Sequence, residues 1–355
     1  MKRLKRLSSL ATASVLSVSA LLNIALMPLA HAAVDICTWT AAVDNTFSNG
    51  GNWSGCDNAG VPENGDSLVI DIAAGAATVN NDMVGMSFNN VTFSGTSATG
   101  KTIIGNAFTI TGNVTNSSNQ TGIINNNVTF TGSTTLDAAS APATLTFNGT
   151  TSGSGSLTKV GSGSVFFEGA FNLTGSVTVN VGSLRIVAFA ADASFSSLTV
   201  ANGADFTYDP FTSSGAGTTY TFTKPITSGG VLHFESMAGG LTAVLNLTGT
   251  ITLTADTTIV SGDNLTVYVK GPLHGPGFTL KSAGTATVIN QSTDNTSSTP
   301  GGTVGAAQVG VGAPDTGFAA VTSNPALLFG GISIAALGIA LAGRRLQLAS
   351  SKSRR

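Results

Sequence analysis

Across residues 67–290, apolar and polar residues alternate in short runs. Examples are Val91-Thr92-Phe93, Phe108-Thr109-Ile110-Thr111, Val128-Thr129-Phe130, Leu145-Thr146-Phe147 and Val177-Thr178-Val179. A period of two, carried by β-branched residues, sends one set of side chains inward and the other to solvent. Each run therefore predicts a short strand with one buried face. Gly, Asn and Ser interrupt the runs, and no stretch of this region sustains a period of 3.6. Strands so short and so frequent fit either a sandwich array or a stacked parallel solenoid. Two apolar blocks, residues 10–29 and 326–342, fall outside this pattern.

The flanks of those blocks suggest processing signals. Met1-Lys2-Arg3-Leu4-Lys5-Arg6 is a basic start, an apolar block follows, and Ala30-His31-Ala32 supplies small residues at a cleavage point. This is the pattern of a signal peptide over residues 1–32. At the other end Ala313-Pro314-Asp315-Thr316-Gly317 precedes the second apolar block, which Arg344-Arg345 and a basic tail follow. That order resembles the cell-wall sorting signals of the LPXTG family, with Ala313 in place of the leading Leu. The resemblance implies a sortase-type transpeptidase as partner, cleavage between Thr316 and Gly317, and attachment to the envelope. The alternative is a membrane anchor at residues 318–343 that stays uncut, with Arg344 and Arg345 stopping transfer and residues 344–355 in the cytoplasm. The second apolar block is about 17 residues, or about 26 Å as a helix, a marginal span for a bilayer.

A glycine repeat chooses between the two all-β architectures. Gly149-Thr-Thr-Ser-Gly153-Ser-Gly155-Ser-Leu-Thr-Lys159 runs on through Gly161, Gly163 and Gly169 to Gly175, Gly182 and Ile186. It recurs weakly from Gly271 to Lys281. This stretch resembles the autotransporter-associated β-helix repeat, which implies a right-handed parallel β-solenoid over residues 73–290, of about ten turns at ~20–25 residues each. Gly-x-Gly is expected to supply positive φ at corners. Trp39, Gly51-Asn52-Trp53, Val61-Pro62 and Gly65-Asp66 resemble the head of such passengers, so residues 33–72 are expected to cap the open end of the solenoid. The tryptophans are read as cap residues ahead of a sugar platform. Residues 291–312, rich in Ser, Thr and Gly, predict a flexible stalk.

Charge narrows the partners. Of 15 basic residues only six lie between the two processed ends, against all 17 acidic ones. An exported region this acidic argues against nucleic acid as a partner. Cys37 and Cys56 in an exported chain predict a disulfide, contributing on the order of 3 kcal/mol.

Candidate chemistry is sparse. Gly65-Asp66-Ser67-Leu68 matches a GDSL esterase motif, but neither His233 nor His274 follows an Asp at the required spacing, so a turn feeding a strand at residues 68–72 is preferred. Arg185 is expected on a solvated face, and Asp205/Asp209 and Asp256/Asp263 are read as turn residues. Asn-x-Ser/Thr triplets such as Asn113 and Asn127 are assigned no glycan. The expectation is a surface protein without catalytic, cofactor or metal site, an adhesin or structural layer component that meets glycans or a neighbouring cell. The alternative is a polysaccharide lyase or hydrolase on the same fold.

Overall fold

The computed structural model describes residues 34–292, apart from residues 76, 188–192, 211–217, 236–241, 263–264, 276 and 285–286. The signal peptide, the motif Ala313 to Gly317, the apolar anchor and Arg344/Arg345 lie outside the described residues, as does all but the start of the stalk. Among the described residues, no helix is long and apolar enough to cross a membrane.

The described chain is a parallel β-solenoid of about nine turns. One turn shows the plan. Ser67–Asp71 lies on the first side, Thr78–Asn81 on the second and Met86–Phe88 on the third, and Val91–Ser94 then returns to pair with Ser67–Asp71. The period-two runs form these short strands, and the Gly, Asn and Ser residues between them form the corners. The first side builds a twelve-stranded sheet and the second a ten-stranded one. The third side is divided into a five-stranded sheet ending at Phe171–Leu173 and a four-stranded sheet starting at Thr218–Phe222.

Register explains the solenoid. Leu68 pairs with Val91 and Val91 with Val114, so identical residue classes stack turn upon turn. Burial alternates along most strands, and the inward residues merge into one core with Val91, Phe130, Val165 and Ile259 fully buried. Each fully buried large side chain contributes about 1.5–3 kcal/mol. Aromatic rings add a spine: Phe147 stacks on Phe167 at 4.8 Å, and Phe171 meets both Phe167 and Phe195 edge-on.

The glycines serve two purposes. Gly153 and Gly161 adopt φ of 125° and 76°, as expected of corner residues. Gly155 and Gly175 are glycine for a different reason. A Cβ on Gly155 would run into the carbonyl oxygen of Gly132, and one on Gly175 into that of Gly155. Stacked turns approach too closely there for any side chain.

The weak second copy of the repeat is out of phase. The column of Leu157 runs through Val177, Leu198, Ile226 and Ile251 to Leu273. An offset of 122 residues would match Leu157 with Thr279 instead. Accordingly Lys159 is buried on the first side, whereas Lys281 is exposed on the second and pairs with Asp256 at 2.7 Å.

Lys159 is fully buried although charged side chains seldom are. Its ammonium donates to the carbonyl oxygens of Val160, Gly161 and Val181 at 2.7, 2.8 and 3.1 Å, using all three protons. Burial pushes its pKa down to about 8, and the Asp137 charge opposes that shift. Lys101 is likewise buried, donates to the Ala74 carbonyl and is shifted down by burial, against the pull of Asp71.

Candidate functional site: a charged cluster on the second side

The second side carries a group of charges that local spacing does not reveal. Ser183–Val187, Asp205–Asp209 and Val231–Phe234 are consecutive strands of that sheet. Their outward positions bring Arg185 beside Thr207 and Thr207 beside His233. The Arg185 guanidinium lies 3.1 Å from the carboxylate of Asp209 and 3.3 Å from that of Glu235. His233 Nε2 lies 2.9 Å from Asp205 Oδ2. Asp209 has no exposed side-chain surface, Arg185 retains 24% and Glu235 37%.

Asp205 and Asp209 are therefore strand residues rather than turn residues. They begin and end one strand, with Asp205 half-buried and Asp209 fully buried among its neighbours. Arg185 sits on the outward face as expected, but ion pairs hold it there. A buried carboxylate needs such a partner, because desolvation otherwise disfavours its charge.

The cluster could act in two ways. A His–carboxylate pair orients an imidazole, the arrangement a general base uses. A guanidinium shared by two carboxylates neutralises them and fastens adjacent turns together. Among the described residues, no group of three or more His, Cys, Asp or Glu is placed to hold a metal ion. Sequence reasoning missed the grouping because its partners are a full turn apart, Arg185 and Asp209 by 24 residues. Only the length of the return, known from the fold, shows that they meet.

The remaining candidates fall in the head of the solenoid. Cys37 and Cys56 are disulfide-bonded, as expected. Ile36–Trp39 pairs in parallel with Ser67–Asp71 and antiparallel with Trp53–Ser54, which forms the outer edge of the first sheet. Trp39 and Trp53 are buried and packed edge to face, with Phe47 against both, so neither offers a ring to a sugar. The Trp53 indole donates to the Phe47 carbonyl at 2.9 Å. Asn52 beside it is fully buried and holds the preceding loop, accepting from the Val43 and Asp44 amides and donating to Asp44 and to the Thr46 carbonyl. The Asp44 carboxyl is held far below the usual carboxylate range, first by the Thr46 backbone N–H and then by the Asn49 and Asn52 side chains.

The GDSL-like residues are structural in their contacts. Asp66 is buried and accepts from the Asp35 and Glu63 amides at 3.0 and 2.7 Å, and Ser67 Oγ accepts from Asn90. Asp256 is an exposed corner residue that accepts from the Thr279 amide, and its pKa is lowered, first by the hydrogen bond from Lys281. Asp263 lies outside the described residues.

Comparison of the chain with protein families, with curated proteins and with solved structures finds no match.

Proposed function

We propose that the chain is exported and held at the cell envelope, where its solenoid serves as a non-catalytic adhesin or structural surface component. The observation that carries this is the disulfide between Cys37 and Cys56 at the head of the solenoid, since such bonds persist in oxidising, extracytoplasmic compartments. The basic and apolar start of the chain agrees with export. Ala313 to Gly317, the following apolar block and Arg344/Arg345 agree with sortase-type attachment or a retained membrane anchor. The solenoid takes the right hand, which parallel β–crossover–β connections adopt. In this proposal Arg185, Asp209 and Glu235 hold turns together and perform no chemistry.

A second reading keeps the cluster as an active site for a polysaccharide lyase or hydrolase, and the His233–Asp205 pair favours it. One experiment separates the two. The full-length protein is expressed in its host, cells are fractionated, and envelope polysaccharides are incubated with the purified protein and with an Arg185→Ala, His233→Ala variant. The expected result is envelope location, binding to cells or glycans, and no release of new reducing or unsaturated ends by either protein. Cytoplasmic location would overturn the surface assignment. Product release that the variant lacks would overturn the non-catalytic one.

A further inference from the structure

The first side of the solenoid differs from the second. Along its outward face the register places Thr135, Thr158, Thr178, Thr199, Thr227 and Thr252 in one unbroken column. All six are half-exposed. Among the described residues none of their hydroxyls has a protein hydrogen-bond partner. Other outward hydroxyls bond to one another, as Thr129 does with Ser152 and Thr144 with Thr121 on the other sides, and Ser176 with Ser156 beside the column.

A second file of hydroxyls runs beside the first. Two residues before a column threonine stand Ser133, Ser156, Ser176, Ser197 and Thr250, so Ser-x-Thr or Thr-x-Thr recurs in five turns, with Pro225 interrupting once. Backbone bonds from Leu157 to Ser176 and from Val177 to Ser197 continue the ladder through this file. From Thr135 to Thr252 the column contains no charge and no aromatic ring, and its next position, beside Thr252, is His274. Asp137 stands one column away, beside Thr115.

The geometry of a parallel sheet sets the spacings. Hydroxyl and methyl groups repeat at about 4.8 Å from turn to turn and at about 6.7 Å between residues i and i+2. Register holds the comb rigid, because a slip of one residue would turn the core outward. Unpartnered hydroxyls bind water, and a rigid two-dimensional comb imposes its own period on the water it binds. The methyl groups between them limit how that water can orient. A neutral sugar chain would require aromatic platforms or converging polar groups to compete with solvent, and the column has neither.

We propose that this face, from Thr135 to Thr252, binds ice: its ligand is crystalline water, recognised through an ordered hydration layer that both surfaces share. The inference stands independently of the surface assignment, since it rests on the first side alone.

Uptake into ice tests it. Full-length protein in non-ionic detergent is frozen slowly onto a cold finger beside a control protein in the same detergent. The expected result is enrichment of the wild type in the ice fraction and exclusion of the control. A Thr178→Lys, Thr199→Lys variant should be excluded like the control, because two long charged side chains break the comb. Thr109→Lys, on the third side, should retain full enrichment. Circular dichroism verifies the β fold of each variant, and Thr252→Arg replaces the double variant if that one unfolds. Exclusion of the wild type from ice, or continued uptake of the folded first-side variant, would overturn the proposal. Retention on a neutral glucan column that the first-side variant loses, without uptake into ice, would reassign the face to carbohydrate.

Discussion

Lys159 shows how much one side chain can be constrained. Its ammonium is enclosed by three carbonyls, and burial lowers its pKa to about 8 from the ordinary 10.5. Folding thus weakens its hold on the proton, and the unfolded chain binds more protons between those two values. Stability should therefore rise as pH increases from about 8 to 10.5 and be insensitive to this group below that window. The expected gain is on the order of 2–3 kcal/mol. Urea unfolding of the wild type across the window should show it. Lys159→Met, which keeps the length of the side chain and removes the charge, should remove most of the slope. An identical slope in the variant would show that Lys159 is not the group responsible.

At the scale of the strand, the charged cluster holds three successive elements of the second side in contact. Arg185 of one strand reaches Asp209 at the end of the next and Glu235 just beyond the third. Removing the cation by Arg185→Ala leaves the fully buried Asp209 carboxylate without its guanidinium, a change that costs about 3 kcal/mol. Glu235→Gln touches a more exposed partner and should cost under about 1 kcal/mol. Thermal or urea melts of the two variants should separate clearly. Equal losses would mean that the buried and exposed partners are energetically equivalent, contrary to their burial. None of this was visible from residues 183–235 read alone, where the same acids resemble turn residues.

In the whole molecule each turn contacts chiefly its two neighbours, so stability is distributed as in a one-dimensional stack. Interior turns are supported from both sides. The first turn is closed by Trp53–Ser54, by the disulfide and by the packed Trp39, Phe47 and Trp53. Amide hydrogen exchange should reflect this order. Strands Leu145, Val165 and Leu184 belong to should exchange most slowly, and Val288–Asn290 faster than either the centre or Ile36–Trp39. Uniform exchange along the chain would show a single cooperative unit in place of a stack. The Ser-x-Thr face has meaning only at this scale, because five tripeptide patterns some twenty or more residues apart become one surface through the common register.

Strand identity, the all-β class and the bonded cysteines were legible from the amino acids, because period-two alternation and a short cysteine loop are local signals. The Gly149 to Ile186 repeat pointed correctly to a solenoid over a sandwich. The tryptophans of the head, read as cap residues ahead of a sugar platform, are buried. The phase of each turn was not legible. Returns vary in length, from 19 residues between Ser164 and Ser183 to 28 between Leu198 and Ile226. A fixed offset therefore matched Lys159 with Lys281 although they occupy different sides. Which outward residues become neighbours depends on that phase. Inter-turn pairing settles it through backbone hydrogen bonds between residues distant in sequence, and so the charged cluster and the threonine column emerge only in the folded chain.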